Sequence, residues 1–336
     1  MTDLTSISPN LTGFTELLPE RIFTFAERFG GVATGRFLGL NALENRVYEV
    51  EMEYDDGGEE SGRMEKRIVK FYRPGRWSRA SIESEHRFLR ACAEAEVPVV
   101  QPIANDQGET LFEDDGIFCA AFPKMRGRLE SDLNKTQLER LGRYLARLHQ
   151  VGAGMPAQPR QRLDADTFGR GPLAFMIESG AMPRDIIPRY EPIASRIIDV
   201  CDRIIKPFAA QLVHGDCHQG NVLWNGDEPV FIDFDDILYA PPVQDIWMLT
   251  GGDPEEESTK RTHMLKGYEE IMDFNEDSLR IIEALRSLRM IHFAGWLIRR
   301  REDGAIRLAF PTVGTDRFWG EQLEGLYAQA ERLRVN

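Results

Sequence analysis

The run His214-Gly215-Asp216-Cys217-His218-Gln219-Gly220-Asn221, followed by Phe231-Ile232-Asp233, constrains this chain more than any other stretch. It sets a carboxylate at 216, a carboxamide five residues later and a second carboxylate seventeen residues after the first. The apolar flanks Leu212-Val213, Val222-Leu223 and Val230-Phe231-Ile232 read as short buried strands bounded by loops. Phosphoryl transfer from a nucleotide asks for this set of groups. One group orients and deprotonates the attacking hydroxyl, and hard oxygen ligands hold Mg²⁺ on the phosphates. Asp216 suits the first task, Asn221 and Asp233 the second.

The remaining chain divides by pattern. Leu18, Ile22, Phe25 and Phe29 lie at helical spacing in a lead-in of about thirty residues. Asn45 to Glu51 alternates as a strand, Asp55-Asp56-Gly57-Gly58 reads as a turn, and Arg67 to Tyr72 is the next strand. A helix is expected from about Ser78 to Ala95, ended by Glu96-Val97-Pro98. Strands are expected at Glu109 to Phe112 and Phe118 to Phe122, joined by Asp114-Asp115-Gly116. Beyond Pro123 the periodicity turns helical. Thr136 to Glu139 fits a capping box, with Leu138, Leu141, Leu145 and Leu148 on one face. Residues 151–185 read as a long Gly/Pro-rich loop, and Asp277 to Arg301 as a helix with an apolar stripe closed by three arginines. The division predicts a β-rich nucleotide-binding lobe over 1–124 and a helical catalytic lobe over 125–336. That is an α+β, two-lobed protein-kinase-like fold.

Composition excludes several classes. No stretch approaches 18 consecutive apolar residues, and the first ten carry neither a basic nor an apolar leader segment. Four scattered cysteines, with no CxxC pair, read as reduced thiols of a cytoplasmic protein. A net charge of −14 argues against nucleic acid or an anionic membrane as a partner; it would suit a cationic substrate, although solubility is the simpler reading. A monomer is expected.

Other residues are candidates on chemical grounds. Lys70 sits inside the apolar strand Ile68-Val69-Lys70-Phe71, where a lysine is costly unless paired. Glu83 or Glu85 on the following helix would pair with it; the alternative is a solvent-facing lysine. No glycine-rich motif covers the turn Asn41 to Asn45, so a phosphate would rely there on backbone N–H groups. His218 stands where protein kinases carry a lysine after the catalytic aspartate. It either offers a protonated imidazole or holds the loop, the second reading being preferred. His214 reads as an oriented core histidine with Asp245 as its partner. Asp235 would share the face of Asp233 if the strand continued, and serve as a secondary ligand; Asp236 reads as a solvated turn residue. The run Glu255-Glu256-Glu257 reads as solvated surface, and the Trp/Leu stripe of the last long helix as core.

With these residues in hand, the chain resembles the bacterial stress response kinase A family of serine/threonine protein kinases. Their fold is that of choline kinase and the aminoglycoside phosphotransferases. Val69-Lys70-Phe71-Tyr72-Arg73-Pro74, Glu96-Val97-Pro98-Val99, Gly142-Arg143-Tyr144-Leu145, His214 to His218 and Pro242 to Leu249 carry the likeness. The resemblance implies Asp216 as catalytic base, Asn221 and Asp233 as Mg²⁺ ligands, and Lys70 as the ATP lysine. It implies Glu85 as the partner of Lys70, because Glu85-His86 matches the family's pair. It further implies Ser/Thr acceptors on proteins, autophosphorylation and a part in stress protection. Two departures are visible: a longer acidic turn from about Tyr54 to Arg63, and a weak likeness over 151–185. A small cationic alcohol, choline-like or an aminoglycoside, is the alternative acceptor. A two-metal phosphoesterase would need more His and Asp ligands than the sequence offers. A scaffold without turnover conflicts with the intact set Lys70, Asp216, Asn221 and Asp233. The adenine contacts would fall to backbone in the link after Phe122.

Overall fold

A computed structural model describes Phe14 and residues 17–54 and 62–335. The expected turn at 55–58 and most of the long acidic turn lie outside the described residues. The chain divides into two compact units. The first takes residues 1–132, 155–159 and 220–235; the second takes 133–154, 160–219 and 236–336. The segment 220–235, which sequence alone assigns to the helical part, therefore belongs with the β-rich unit. The chain crosses between units inside the catalytic run, after Gln219 and again after Asp235.

In the first unit, helix α1 (Pro19–Glu27) precedes strands β1 (Val32–Leu40), β2 (Arg46–Tyr54) and β3 (Arg63–Phe71). Helix α2 (Arg79–Glu94) is followed by β4 (Phe112–Asp114) and β5 (Ile117–Pro123). These strands form an antiparallel sheet in the order β1-β2-β3-β5-β4. Strand alternation sends Val50, Met52, Val69, Phe71 and Cys119 to one face, where they pack on Ile22, Phe25 and Ala26 of α1. Leu18 of the lead-in stripe is exposed, because it only precedes the helix. Buried Arg67 stops α1 by donating to the carbonyls of Ala26, Phe29 and Gly30. The opposite face carries Tyr72 and Ala120 against Ile82 of α2. Lys70 alternates onto that covered face, which removes the solvent-facing alternative.

Helix α2 is capped by Ser78, whose side chain accepts from the Ser81 N–H. It ends with Glu96 at φ +57 and a Val97 N–H to Cys92 carbonyl bond. The chain then runs beside the site: the Phe231 N–H donates to the Pro98 carbonyl, and Val99 bridges Phe231. Strand β4 begins at Phe112, not at Glu109, and pairs with β5 through the Asp115-Gly116 turn, both residues at positive φ. Strands β6 (Arg128–Leu129), β8 (Val222–Asn225) and β9 (Glu228–Phe231) form a second small sheet.

The second unit is built on helices, with β7 (Gln211–Val213) paired to β10 (Leu238–Ala240). Helix α3 (Lys135–Gly154) buries Leu138, Leu141, Leu145 and Leu148 as expected. Its capping box lies earlier than expected, at Asn134 and Gln137, each side chain accepting from the other's N–H. Residues 151–185 are not one continuous loop; irregular chain is confined to 155–164 and 179–185. They complete α3, form a π-turn at Asp166–Arg170 and make helix α4 (Gly171–Glu178) before α5 (Ile187–Ile205). Helices α6 (Val243–Thr250), α7 (Pro254–Glu269), α8 (Ile282–Arg299), α9 (Gly304–Ala309) and α10 (Asp316–Arg332) follow. The acidic run opens α7 rather than lying wholly in solvent: Asp253 caps the helix, and Glu257 is buried between Arg261 and Arg286. Glycines let α3 and α7 touch. A Cβ at Gly142 would stand 2.0 Å from the Met264 carbonyl oxygen, and one at Gly267 1.8 Å from that of Glu139. The α+β architecture expected from the sequence is the one observed.

Candidate active site

The β8–β9 hairpin positions two polar groups at one end. Val222 pairs with Phe231, so Asn221 just precedes one strand as Ile232-Asp233 leaves the other. The Ile232 N–H donates to the Asn221 carbonyl at 3.0 Å. Asp233 takes φ +63, a conformation rarely adopted by a side-chain-bearing residue and often found at functional sites. This bend ends the strand, and Phe234–Asp236 continues as a 3-10 turn. Asp235 consequently does not share a face with Asp233. The Asp233 carboxylate is 53% exposed, whereas that of Asp235 is 5% exposed and lies against the Lys70 ammonium and the Asn45 carboxamide. The shared face on which Asp235 was expected as a secondary ligand is therefore absent. Both carboxylates meet the Lys70 ammonium, and Asp235 meets the Asn45 amide as well, while Asp233 is the more exposed of the two.

Lys70 Nζ lies 3.3 Å from Asp233 and 3.9 Å from Glu85, besides its contact with Asp235. Glu83, the other helix candidate, is exposed beside Arg79. Burial alone would lower the Lys70 pKa. Asp235, Glu85 and Asp233 outweigh it and push the pKa up, so the side chain is an ammonium throughout the physiological range. Glu85 also accepts from the Tyr72 hydroxyl at 3.4 Å. Asn45, assigned by sequence to a phosphate-covering turn, instead joins this network. Its Oδ1 accepts from the Arg73 N–H at 3.1 Å, and Arg73 also pairs with Glu44.

Asp216 belongs to the second unit, where a different device holds its loop. Asp245 on α6 accepts from the backbone N–H of His214 at 2.9 Å and of Gly215 at 2.8 Å. Gln244 donates to the Gly215 carbonyl at 3.0 Å, and Trp247 donates to Gln244. Gln219 anchors the far side on the Leu249 carbonyl. Gly215 sits at φ +82, and a Cβ there would stand 2.5 Å from the Asp236 carbonyl oxygen. Val-Gln-Asp-Ile-Trp is thus the cradle of His-Gly-Asp. Asp245 meets His214 as expected, but through the main chain; the imidazole on its carboxylate is that of His149, at 3.1 Å. The Asp216 carboxylate lies 2.6 Å from the Arg289 guanidinium on α8 and 3.6 Å from His218. Burial pushes the His218 pKa down against the pull of Asp216, so its imidazole is neutral at pH 7. Asp236, expected in solvent, is half-buried.

The two ligand candidates fit a small divalent cation. An amide oxygen and an outward-facing carboxylate are hard donors, and Mg²⁺ takes one or two protein carboxylates, with nucleotide phosphates and water completing its shell. No cluster of three or more His, Cys, Asp or Glu suited to a metal occurs among the described residues.

The phosphotransferase enzyme family matches residues 38–282, which include Lys70, Glu85, Asp216, Asn221 and Asp233. The chain belongs to that family. Within it, the chain groups with the proteins called stress response kinase A. It is 33% identical to a serine/threonine protein kinase, RdoA, of Salmonella typhimurium, over 97% of each chain. It is 33% identical to stress response kinase A of Escherichia coli K12 over 96% of this chain and 95% of the other. Among solved structures, the fold resembles that of amicoumacin kinase hAmiN in complex with AMP-PNP, Ca²⁺ and Ami. The TM-score is 0.68 at 20% identity, covering 91% of this chain and 93% of that one. It also resembles a microcompartment-associated aminopropanol kinase, with TM-score 0.66 at 16% identity over 93% and 95% of the two chains. The protein is therefore a phosphotransferase enzyme. No helix among the described residues is long and apolar enough to cross a membrane.

Proposed function

We propose that the protein transfers the γ-phosphoryl group of ATP to serine or threonine hydroxyls of proteins, its own included. Its whole-length likeness to a serine/threonine protein kinase carries this reading. Asp216 accepts a hydrogen bond from the acceptor hydroxyl and takes its proton as the new P–O bond forms. The bond from the γ-phosphorus to the bridging oxygen breaks, and ADP leaves. Lys70 binds the ATP phosphates, with Glu85 orienting the ammonium. Asn221 and Asp233 hold Mg²⁺, which when bound neutralises charge on the phosphates. A loose transition state needs positioning more than basicity, so a well-placed carboxylate suffices as base. The names of the relatives support a role in stress protection.

The test is incubation with γ-labelled ATP and Mg²⁺, alone and with unfolded acceptor proteins, beside Asp216→Ala and Asp233→Ala. Label on Ser or Thr is expected for wild type, falling at least about a hundredfold in each variant. ATP consumed only with amino alcohols or aminoglycosides, and never with protein, would refute a protein acceptor.

A further inference from the structure

The charge beside Asp216 bears on the acceptor. The net charge of −14 suits a cationic acceptor, but the group on the catalytic carboxylate is a guanidinium, 2.6 Å away. A cationic alcohol entering there would bring its ammonium toward Arg289, and like charges at close range in a partly desolvated site repel. Arg289 is 31% exposed and donates through Nη2 to Asp216, which leaves the rest of its planar fork for another anion. Phe293 and Trp296 follow at i+4 and i+7, on the same face of α8. Their rings stack at 5.6 Å and 10°, and Phe293 is exposed. The Trp side of this helix, expected as core, is therefore only partly covered: Phe293 is exposed at its rim, with Phe310 edge-on to it, and Trp296 is half-buried under Arg300, while Ile291, Leu285 and Leu288 on the other side are buried.

We infer that Arg289 is a specificity-determining residue that selects acceptors carrying a carboxylate next to the reacting hydroxyl, which for a protein means Ser or Thr in acidic sequence. The inference deepens the proposed function and rests on Asp216 being the base. An acceptor carboxylate competes with Asp216 for the guanidinium. As Arg289 turns toward it, the Asp216 oxygen becomes available to the acceptor hydroxyl. Cationic acceptors cannot make this exchange.

The test uses three serine peptides flanked by Glu, Ala or Lys and three small alcohols: a hydroxy acid, a neutral diol and an amino alcohol. Wild type, Arg289→Gln and Arg289→Glu are compared by kcat/KM. The anionic member is expected to lead by about tenfold or more in whichever panel turns over, the worth of a charge-assisted hydrogen bond. The lead disappears in Arg289→Gln and inverts in Arg289→Glu. Turnover confined to the hydroxy acid would defeat the protein acceptor yet keep this inference. Preference of wild type for the Lys peptide or amino alcohol would overturn it. So would an equal loss for all acceptors in Arg289→Gln, the mark of a guanidinium that serves the transferred phosphoryl instead. Calorimetric binding of the Glu peptide with Ser replaced by Ala does not depend on turnover. It should weaken about tenfold in Arg289→Gln, and equal affinity would overturn the inference even if no acceptor reacts.

Discussion

Two buried aspartates, Asp235 and Asp245, stand ten residues apart and support the site in opposite ways. Asp235 meets a side-chain ammonium and a carboxamide, Lys70 and Asn45. Asp245 meets two backbone N–H groups, those of His214 and Gly215, together with His149. The first is a contact between side chains, and in the proposed function the ATP phosphates share its ammonium. The second fixes the path of the main chain and has nothing to exchange with a ligand. Charge that must respond to substrate is held side chain to side chain, and geometry that must not respond is held through the backbone.

The largest effect that would break this contrast is at Asp245. Asp245→Ala leaves two buried N–H groups without their acceptor, an expected loss of about 3–5 kcal/mol. At roughly 2–4 °C per kcal/mol, Tm falls by about 10 °C, and phosphoryl transfer falls with it because the loop bearing Asp216 loses its anchor. Asp245→Asn keeps the volume but presents a donor where two donors converge, so part of the loss persists. A variant melting within about 2 °C of wild type at full activity would show that the cradle does not hold the loop.

Lys70→Met tests the other side. It leaves Asp235 and Glu85 buried near each other without their cation, costing about 3–5 kcal/mol. It also raises KM for ATP. Adding Asp235→Asn removes one of the stranded charges, so Lys70→Met/Asp235→Asn should regain stability but not activity. Stability and turnover moving together in the double variant would make Lys70 a purely structural group. The pKa of Lys70 is raised in the fold, so its contribution is fully present below the unfolded value of about 10.4 and is lost only as pH climbs past it toward the folded pKa. The Tm gap between wild type and Lys70→Met should therefore not close as pH rises from about 6 to 9; protonation of the stranded carboxylates in the variant narrows it only toward low pH. A gap that closes as pH rises through that window contradicts the ammonium assignment.

What was legible in the sequence follows the same division. Asp216, Asn221 and Asp233 could be read because strand ends and loops keep them within one short run. Lys70 could be read because an ammonium in an apolar strand demands a partner. Arg289 could not: it lies 73 residues from Asp216 on an amphipathic helix, where an arginine reads as solvent face. His149 is hidden in the same way among the leucines of α3, and Asn45 in a turn whose carboxamide finds its partners Asp235 and Arg73 far along the chain. The helices within 151–185 were missed because prolines read as breakers. Pro172 falls in the first turn of α4, where the missing N–H costs nothing, so it opens that helix rather than breaking it. Gly142 was legible as a motif but not as a reason. Its cause is the closeness of α3 to α7.

His218 carries the smallest expected effect and sharpens the contrast furthest, because it is a polar neighbour of Asp216 that belongs to neither device. Burial lowers its pKa from about 6.5, against the opposing pull of Asp216 and with added push from Arg289 and His214. The neutral form is thus favoured in the fold. Its contribution is complete above about pH 6.5 and is lost as pH falls toward the folded value, where only the unfolded chain gains the proton. Replacing the ring by an uncharged amide should leave activity at pH 7.5 within about threefold, since no charge is removed. His218→Gln should also lose less stability than wild type when pH is lowered from about 7 to 5, read as the change in Tm. A drop beyond tenfold at neutral pH, with wild-type activity rising as the solution is acidified, would mean that a protonated imidazole serves the transferred phosphoryl. The loop would then hold a substrate-responsive charge of its own, and the division between backbone-held geometry and side-chain-held charge would fail at the residue nearest the chemistry.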